Sequence, residues 1–379
     1  MKRKILIWAM ALLTATAGLS GCAADEGAAN SDPVESAAIS GAAQDESGEA
    51  AESSVEETEE DDTVYTDEQY FQYYNNDLDH GKIGISGYTG PDTEVVIPKT
   101  IDGYTVDFIY QTAFYGNTDI TKVVIPDTVT AIHEEAFRDC SNLEEIVLSD
   151  STLSIGYSAF DGTAWYENQP DGMVYVGKVA YTYKCDNMEE ITEVEIADGT
   201  LGIAERAFHG FVNLSEISVP DSVVSIGSGA FDTTAWLDEG EEDTVLYAGN
   251  VAYLYNTRHD SEAVAIELEP GTVAIADSCF SGCEGLYSIS LPDGLVRIGR
   301  AAFQYTALTT VEIPDSVTTI GGAAFYSCEH LGSITIPESV IYIGLSAFNL
   351  SEQVTIHGSR GSEAENYADI DGIRFVEID

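Results

Sequence analysis

The stretch VEIPDSVTTIGGAAFYSCEHL, residues 311–331, decides the fold. Two short apolar runs lie in it. The first includes Val311 and Ile313, and the second ends at Ile320. Each has the alternation of a short β-strand. Pro314 ends the first strand, because proline cannot donate to a continuing ladder. Asp315 and Ser316 suit the turn that follows, and Gly321 marks the next bend. The Ala323-Ala324-Phe325 segment is expected to make one helical or 3₁₀ turn that carries Phe325 into the core.

The same pattern recurs along the chain. Copies include residues 123–143, 217–231, 289–303 and 334–348. Phe follows a small residue at 114, 137, 160, 208, 231, 280, 303, 325 and 348, with spacings of 23, 23, 48, 23, 49, 23, 22 and 23. A fixed period in the low twenties marks a leucine-rich-repeat solenoid. One coil cannot bury its own apolar face, so stacked coils bury it against each other. The predicted fold is a β-rich leucine-rich-repeat solenoid. It has parallel strands with short helical turns, about nine coils of 22–23 residues, and two β-hairpin insertions.

The insertions account for the two long spacings. They are residues 163–184 and 234–256, in which apolar runs flank Gly177-Lys178 and Gly249-Asn250. A two-residue turn between such runs is a hairpin signal. Trp165 and Trp236, Tyr175 and Tyr247, and Tyr181 and Tyr253 correspond. Aromatic side chains dominate binding hot spots, yet they equally pack a hairpin onto its support. Trp165, Tyr175, Trp236 and Tyr247 are therefore candidate contact residues.

The repeat IPxSVxxIGxxAFxxC resembles the BspA-like leucine-rich-repeat family of bacterial surface proteins, over about residues 68–379. The resemblance implies a curved, exported, surface-exposed solenoid that acts through protein or host-cell contacts. Some members look like adhesins for matrix proteins. No catalytic residues come with the family.

Working outward, the solenoid and its caps should fill residues 65–379. The N-terminal cap covers about 68–94 and the C-terminal cap about 353–379. Residues 1–21 read as a lipoprotein signal peptide. Lys2-Arg3-Lys4 precede an apolar run from Ile5 to Ala17, too short to span a bilayer. Leu19-Ser20-Gly21-Cys22 resembles a lipobox, which makes Cys22 the lipidation site. Two acyl chains suffice for stable anchoring. Residues 22–64 read as a disordered acidic tether, because residues 23–64 hold 14 acids, no base and no aromatic residue. A flexible chain of that length spans roughly 35–40 Å.

Charge excludes several functions. Lys and Arg number 15 against 66 Asp and Glu, a net charge of −51. No basic patch exists for nucleic acid. Nor is there one for anionic lipid, so membrane contact is expected only through Cys22. No HExxH, phosphate loop or GxSxG elbow occurs. The chain is read as a non-enzyme without cofactor. Cys140, Cys283 and Cys328 share one repeat position with Thr and Phe, which suggests a packed ladder rather than a metal site.

Two polar ladders remain. An acid lies ten residues before most of the Phe positions. Asp127, Asp150, Asp198 and Asp221 are thus weak calcium candidates, although turn preference explains them equally. The residue between the two apolar positions of the first strand should face outward. That row contains Glu195, Glu267 and Glu312. The predicted partner is a protein or glycan ligand on host or neighbouring cells. Glycan or peptide capture for an uptake or degradation system, and a purely structural envelope role, are the other readings.

Overall fold

A computed structural model describes residues 63–77, 80–256 and 262–378. The expected signal peptide, Cys22 and nearly all of the expected tether lie outside these residues. Within them each regular coil carries two short strands. In the reference coil these are Thr310–Glu312 and Thr319–Ile320. The first kind stacks into a wide parallel row, with Val311 beside Ile334. The second makes a narrow parallel row, with Ile320 beside Ile343. β-Branched residues suit both rows, and their inward members fill the core. Pro314 closes the turn between the rows, its carbonyl accepting from Val317 N at 3.0 Å.

The Phe segment departs from expectation. It is not a helical turn but a pair of linked β-turns. Ala323 and Ser327, two residues either side of Phe325, have φ of 56° and 54°. Backbone N–H groups then alternate in direction. Ala324 N and Tyr326 N donate within the turn, to Gly321 O and Ala323 O at 3.1 and 3.0 Å. Ala323 N, Phe325 N and Ser327 N donate to Leu345, Ala347 and Asn349 carbonyls of the next coil, at 3.0, 2.8 and 2.8 Å. A helical turn would direct its N–H groups along its own axis and give the next coil none.

The Phe rings form three stacks. These are Phe114–Phe137–Phe160, Phe208–Phe231, and Phe280–Phe303–Phe325–Phe348, with centroids 4.7 to 5.5 Å apart. Each stack ends edge-on against a tyrosine. Tyr181 meets Phe160, Tyr253 meets Phe231, and Tyr367 meets Phe348, at 70–73° between planes.

Two of those tyrosines belong to the hairpins. Gly172–Val176 pairs antiparallel with Val179–Lys184, and Thr244–Ala248 with Val251–Asn256. The returning strands also join the narrow row, Val179 beside Gly202 and Val251 beside Ala274. Each hairpin is therefore a coil collapsed flat rather than an appendage. The strand that would have joined the wide row pairs with its own narrow strand instead.

Both ends are covered. An antiparallel pair, Phe71–Asp77 with Lys82–Tyr88, opens the narrow row. The helix Glu363–Asp371 is capped by Ser362 and stopped by Gly372 at φ 67°. Arg374–Glu377 closes the wide row. The ends also meet. Lys82 Nζ lies 3.4 Å from the Tyr342 ring centroid, and the Tyr342 hydroxyl donates to buried Asp107 at 3.1 Å. His80 reaches Asp371 at 3.3 Å. The outward residues of the narrow row, such as Ala131, Ala274, Arg297 and Thr319, are consequently buried.

Two predictions follow from this packing. An alanine Cβ at Gly156 would lie 2.3 Å from Glu134 N in the coil below, whereas one at Gly282 (φ 78°) meets nothing. Gly156→Ala should cost ~3 kcal/mol as overpacking, and Gly282→Ala about 1 kcal/mol as backbone strain. Urea unfolding measures both, and equal costs would contradict the close approach. The second prediction concerns His133, whose ring stacks on Phe108 and whose Nε2 is buried without a partner. Burial, aided by Arg300, lowers its pKa from 6.5 to about 3. The unfolded chain then binds a proton that the folded one refuses. Stability is lost as pH falls below 6.5, by up to ~1.4 kcal/mol per unit. Buried Asp107 and half-buried Glu205 and Asp277, all raised by desolvation, act in the opposite sense. His133→Phe against the parent isolates the histidine: its relative stability should grow between pH 6 and 4.

Candidate binding surface

Among the described residues the wide row turns its outward side chains to solvent, whereas most outward residues of the narrow row are buried. Three-residue strands place their first and third side chains outward. Glu195, Glu267 and Glu312 all stand exposed there. They are not brought together, however. The wide row is broken into separate sheets, and the three glutamates belong to different ones, beside Ser218, Ser290 and Thr335 respectively. At the N-terminal end the outward columns are Val96–Val124–Val147 and Glu94–Lys122–Glu145. Lys122 pairs with Glu145 at 2.9 Å.

The hairpin aromatics are engaged with the solenoid. Trp165 and Trp236 are half-buried and meet Phe160 and Phe231 edge-on, at 5.7 and 5.0 Å. The hydroxyl of Tyr175 accepts from Ala197 N and that of Tyr247 from Glu269 N, each at 2.9 Å. Most other coils carry proline at that position, among them Pro126, Pro220 and Pro314, and so have no N–H there. Tyr181 and Tyr253 act similarly on the Phe ladder. Their hydroxyls accept from Phe160 N and Phe231 N at 3.1 Å, where an Ala carbonyl serves in regular coils. Tyr181 also donates to Asp161 at 2.8 Å. Sequence reasoning made Tyr175 and Tyr247 candidate contact residues and paired Tyr181 with Tyr253 without giving them a role. The backbone role of Tyr175 and Tyr247 was signalled by Ala197 and Glu269 in place of proline.

The calcium candidates are likewise dispersed. Asp127 pairs with Lys99 at 3.0 Å and Asp150 with Lys178 at 2.6 Å. Asp221 accepts from Asn250 at 3.0 Å. Asp198 is exposed. Among the described residues no three His, Cys, Asp or Glu side chains are placed to hold a metal ion. Lys178 and Asn250 are the second residues of the two hairpin turns, so the acid ladder seats those turns.

In most coils the position three after Phe is a donor site, Phe211 being an exception. Thr163, Thr234 and Thr306 donate to the carbonyl of their own Phe at 2.7 to 2.9 Å. Cys140, Cys328 and Ser351 reach the Phe carbonyl of the coil below at 2.7 to 3.1 Å. Burial pushes the thiols of Cys140 and Cys328 up to about 12 and about 11. Such thiols stay protonated, which suits a hydrogen-bond donor and not a nucleophile.

The model of the BspA type leucine rich repeat region matches in six copies, over residues 107–234, 176–258 and 253–360. The chain belongs to the BspA-type leucine-rich-repeat family. Among solved structures, the chain is similar to a leucine rich cell surface protein from Faecalibacterium prausnitzii. The two are 23% identical over 81% of this chain and 97% of that one, with a TM-score of 0.29. A T. pallidum leucine rich repeat protein is 22% identical over 71% and 91%, with a TM-score of 0.29. A leucine-rich repeat protein from Eubacterium ventriosum is 20% identical over 79% and 81%, with a TM-score of 0.33. No curated protein matches the chain.

In this BspA-type solenoid the hairpin tyrosines should matter first for stability. Tyr181→Phe leaves Phe160 N without its acceptor and removes one of the two side-chain donors to Asp161, the other being Ser158. The expected cost is about 1–3 kcal/mol, as for a buried unsatisfied group. Tyr175→Phe, at a half-buried and more accessible site, should cost less. Thermal or urea unfolding of the two variants ranks them, and a neutral Tyr181→Phe would contradict its role as ladder terminus.

Proposed function

We propose that the protein is a lipid-anchored cell-surface binding protein, held through Cys22 and acting by protein–protein contact. The family supports a surface-exposed binding role. The observation that carries the site is the asymmetry of the two rows. The outward side of the narrow row is buried by the closure of the molecule, and the wide row leaves its outward side open and acidic. The partner therefore docks on the wide face and presents a basic surface there, with electrostatic complementarity favouring encounter and register. The hairpin aromatics contribute at the border of that face through their remaining exposed area. Burial and backbone hydrogen bonding give them a supporting part.

The test is capture from matrix, mucin and envelope extracts by the full chain. A Glu195→Lys/Glu267→Lys/Glu312→Lys variant and a Trp165→Phe/Trp236→Phe variant run beside it, all matched for melting. Capture should fall about tenfold or more on the charge reversal and should weaken with salt, as expected for an electrostatic interface. It should persist in the tryptophan variant. Loss in the tryptophan variant alone would move the site to the hairpins. Cys22→Ala, followed by fractionation, should release the protein from membranes.

A further inference from the structure

The first collapsed coil leaves a gap in the wide row. Glu145–Val147 pairs on one side only, with Lys122–Val124. Toward that neighbour, Glu145 N donates to Thr121 O at 3.2 Å, and Val147 O accepts from Ile125 N at 2.8 Å. Alternate residues of a parallel strand face alternate sides. The N–H groups of Ile146 and Leu148 thus face the gap, and neither has a hydrogen-bond partner among the described residues. The strand that would have occupied the gap, Gly172–Val176, is paired with Val179–Lys184 instead.

The side chains tell the same story. The inward residue is fully buried in strands flanked on both sides, as at Val123 and Ile334. At the gap, Ile146 and the following Leu148 are only half-buried. Ile146 is left partly uncovered where the row stops, whereas the side chain of Leu148 packs against the hairpin turn at Gly177. The charges around the gap are one-sided. Glu193 and Glu195, on the strand that resumes the row, are exposed and carry no ion pair among the described residues. Lys122, on the paired strand, is engaged with Glu145, and Lys178, in the hairpin turn, with Asp150.

We propose that the open edge at Glu145–Val147 docks an extended partner segment whose basic and apolar side chains alternate. Its backbone carbonyls accept from Ile146 and Leu148. Its apolar side chains cover Ile146 beside the Leu148–Gly177 contact. Its basic side chains, two residues apart and on the outward side, meet Glu193 and Glu195. This is strand addition to a sheet edge, in which the main chain supplies affinity and alternate side chains supply specificity. Exposed edges are commonly left short and charged to discourage pairing, so a three-residue acidic edge could be purely protective. Protection alone gives no preference for a basic segment with free backbone groups, and that difference is testable. The inference rests on the protein-binding reading above and deepens it.

The probe is a labelled hexapeptide of alternating Lys and Val, titrated into the full chain by fluorescence anisotropy. A Glu-Val peptide and a Lys-Val peptide N-methylated at alternate residues are the controls. The Lys-Val peptide should bind, the Glu-Val peptide should not, and N-methylation should weaken binding about tenfold or more, as loss of main-chain bonds requires. Ile146→Pro removes one outward N–H at a position where an edge tolerates proline. It should have the same effect at unchanged melting. Glu193→Lys/Glu195→Lys should abolish the preference for Lys over Glu. Should Ile146→Pro fail to fold, the N-methylated peptide against the parent still decides. Equal binding of plain and N-methylated peptides, or no binding of the Lys-Val peptide, would overturn the proposal. Extract capture lost on wide-face charge reversal but unaffected by Ile146→Pro would overturn it too, while leaving the protein-binding reading standing.

Discussion

Everything in this molecule is arranged around the alternating direction of backbone N–H groups at the Phe turns. One N–H closes the turn and the next reaches the coil above, so each turn is a local structure and a rung of a ladder at once. The cost is two left-handed residues per turn, and most of them are not glycine. Ser158, Arg206, Ala323 and Leu350 all accept positive φ. Isolated residues disfavour that conformation by roughly 1–2 kcal/mol. They are held there because the alternative would leave inter-coil carbonyls and buried N–H groups unpaired, at about 1–3 kcal/mol each. The ring stack follows from the same geometry, since a turn repeated in register sets each Phe above the last.

A ladder of this kind needs an ending, and the chain uses one device each time. Tyr181 and Tyr253 substitute a phenolic oxygen for the missing carbonyl. Their rings close the stack edge-on, as Tyr367 does at the last coil. The middle of the solenoid is thereby built from short blocks, and the breaks in the wide row fall where blocks meet. Edge exposure at Ile146 is a product of that block construction. The surface available for recognition is set by where the repeat stops more than by what it contains.

Much of this was legible in the sequence. The spacing of Phe, the alternation of Val311 and Ile313, and the stop at Pro314 were enough for a parallel two-row solenoid. The glutamates placed outward by alternation are outward. The Phe turn was misread because Ala-Ala-Phe has good helix propensity, and propensity yields to inter-coil hydrogen bonding that no single coil displays. The hairpins were read as additions because local pattern shows two strands and a turn. Their membership of the narrow row depends on pairing with residues more than twenty positions away. Packing at the centre was invisible for the same reason: nothing local to Asp107 announces Tyr342.

That last contact changes what kind of repeat protein this is. In an open solenoid each coil answers only to its neighbours, and stability grows coil by coil as in a one-dimensional lattice. Here Lys82 and Asp107 hold Tyr342, and His80 holds Asp371, so the two termini of the array are neighbours as well. The lattice acquires a periodic boundary. Fraying from either end must break contacts with the other, which ties the distant blocks into one cooperative unit. The same bonds raise the average sequence separation of native contacts, and chains of high contact order fold slowly. The loss of a terminal coil would be felt at both ends of the array, and not only at the one from which it was removed.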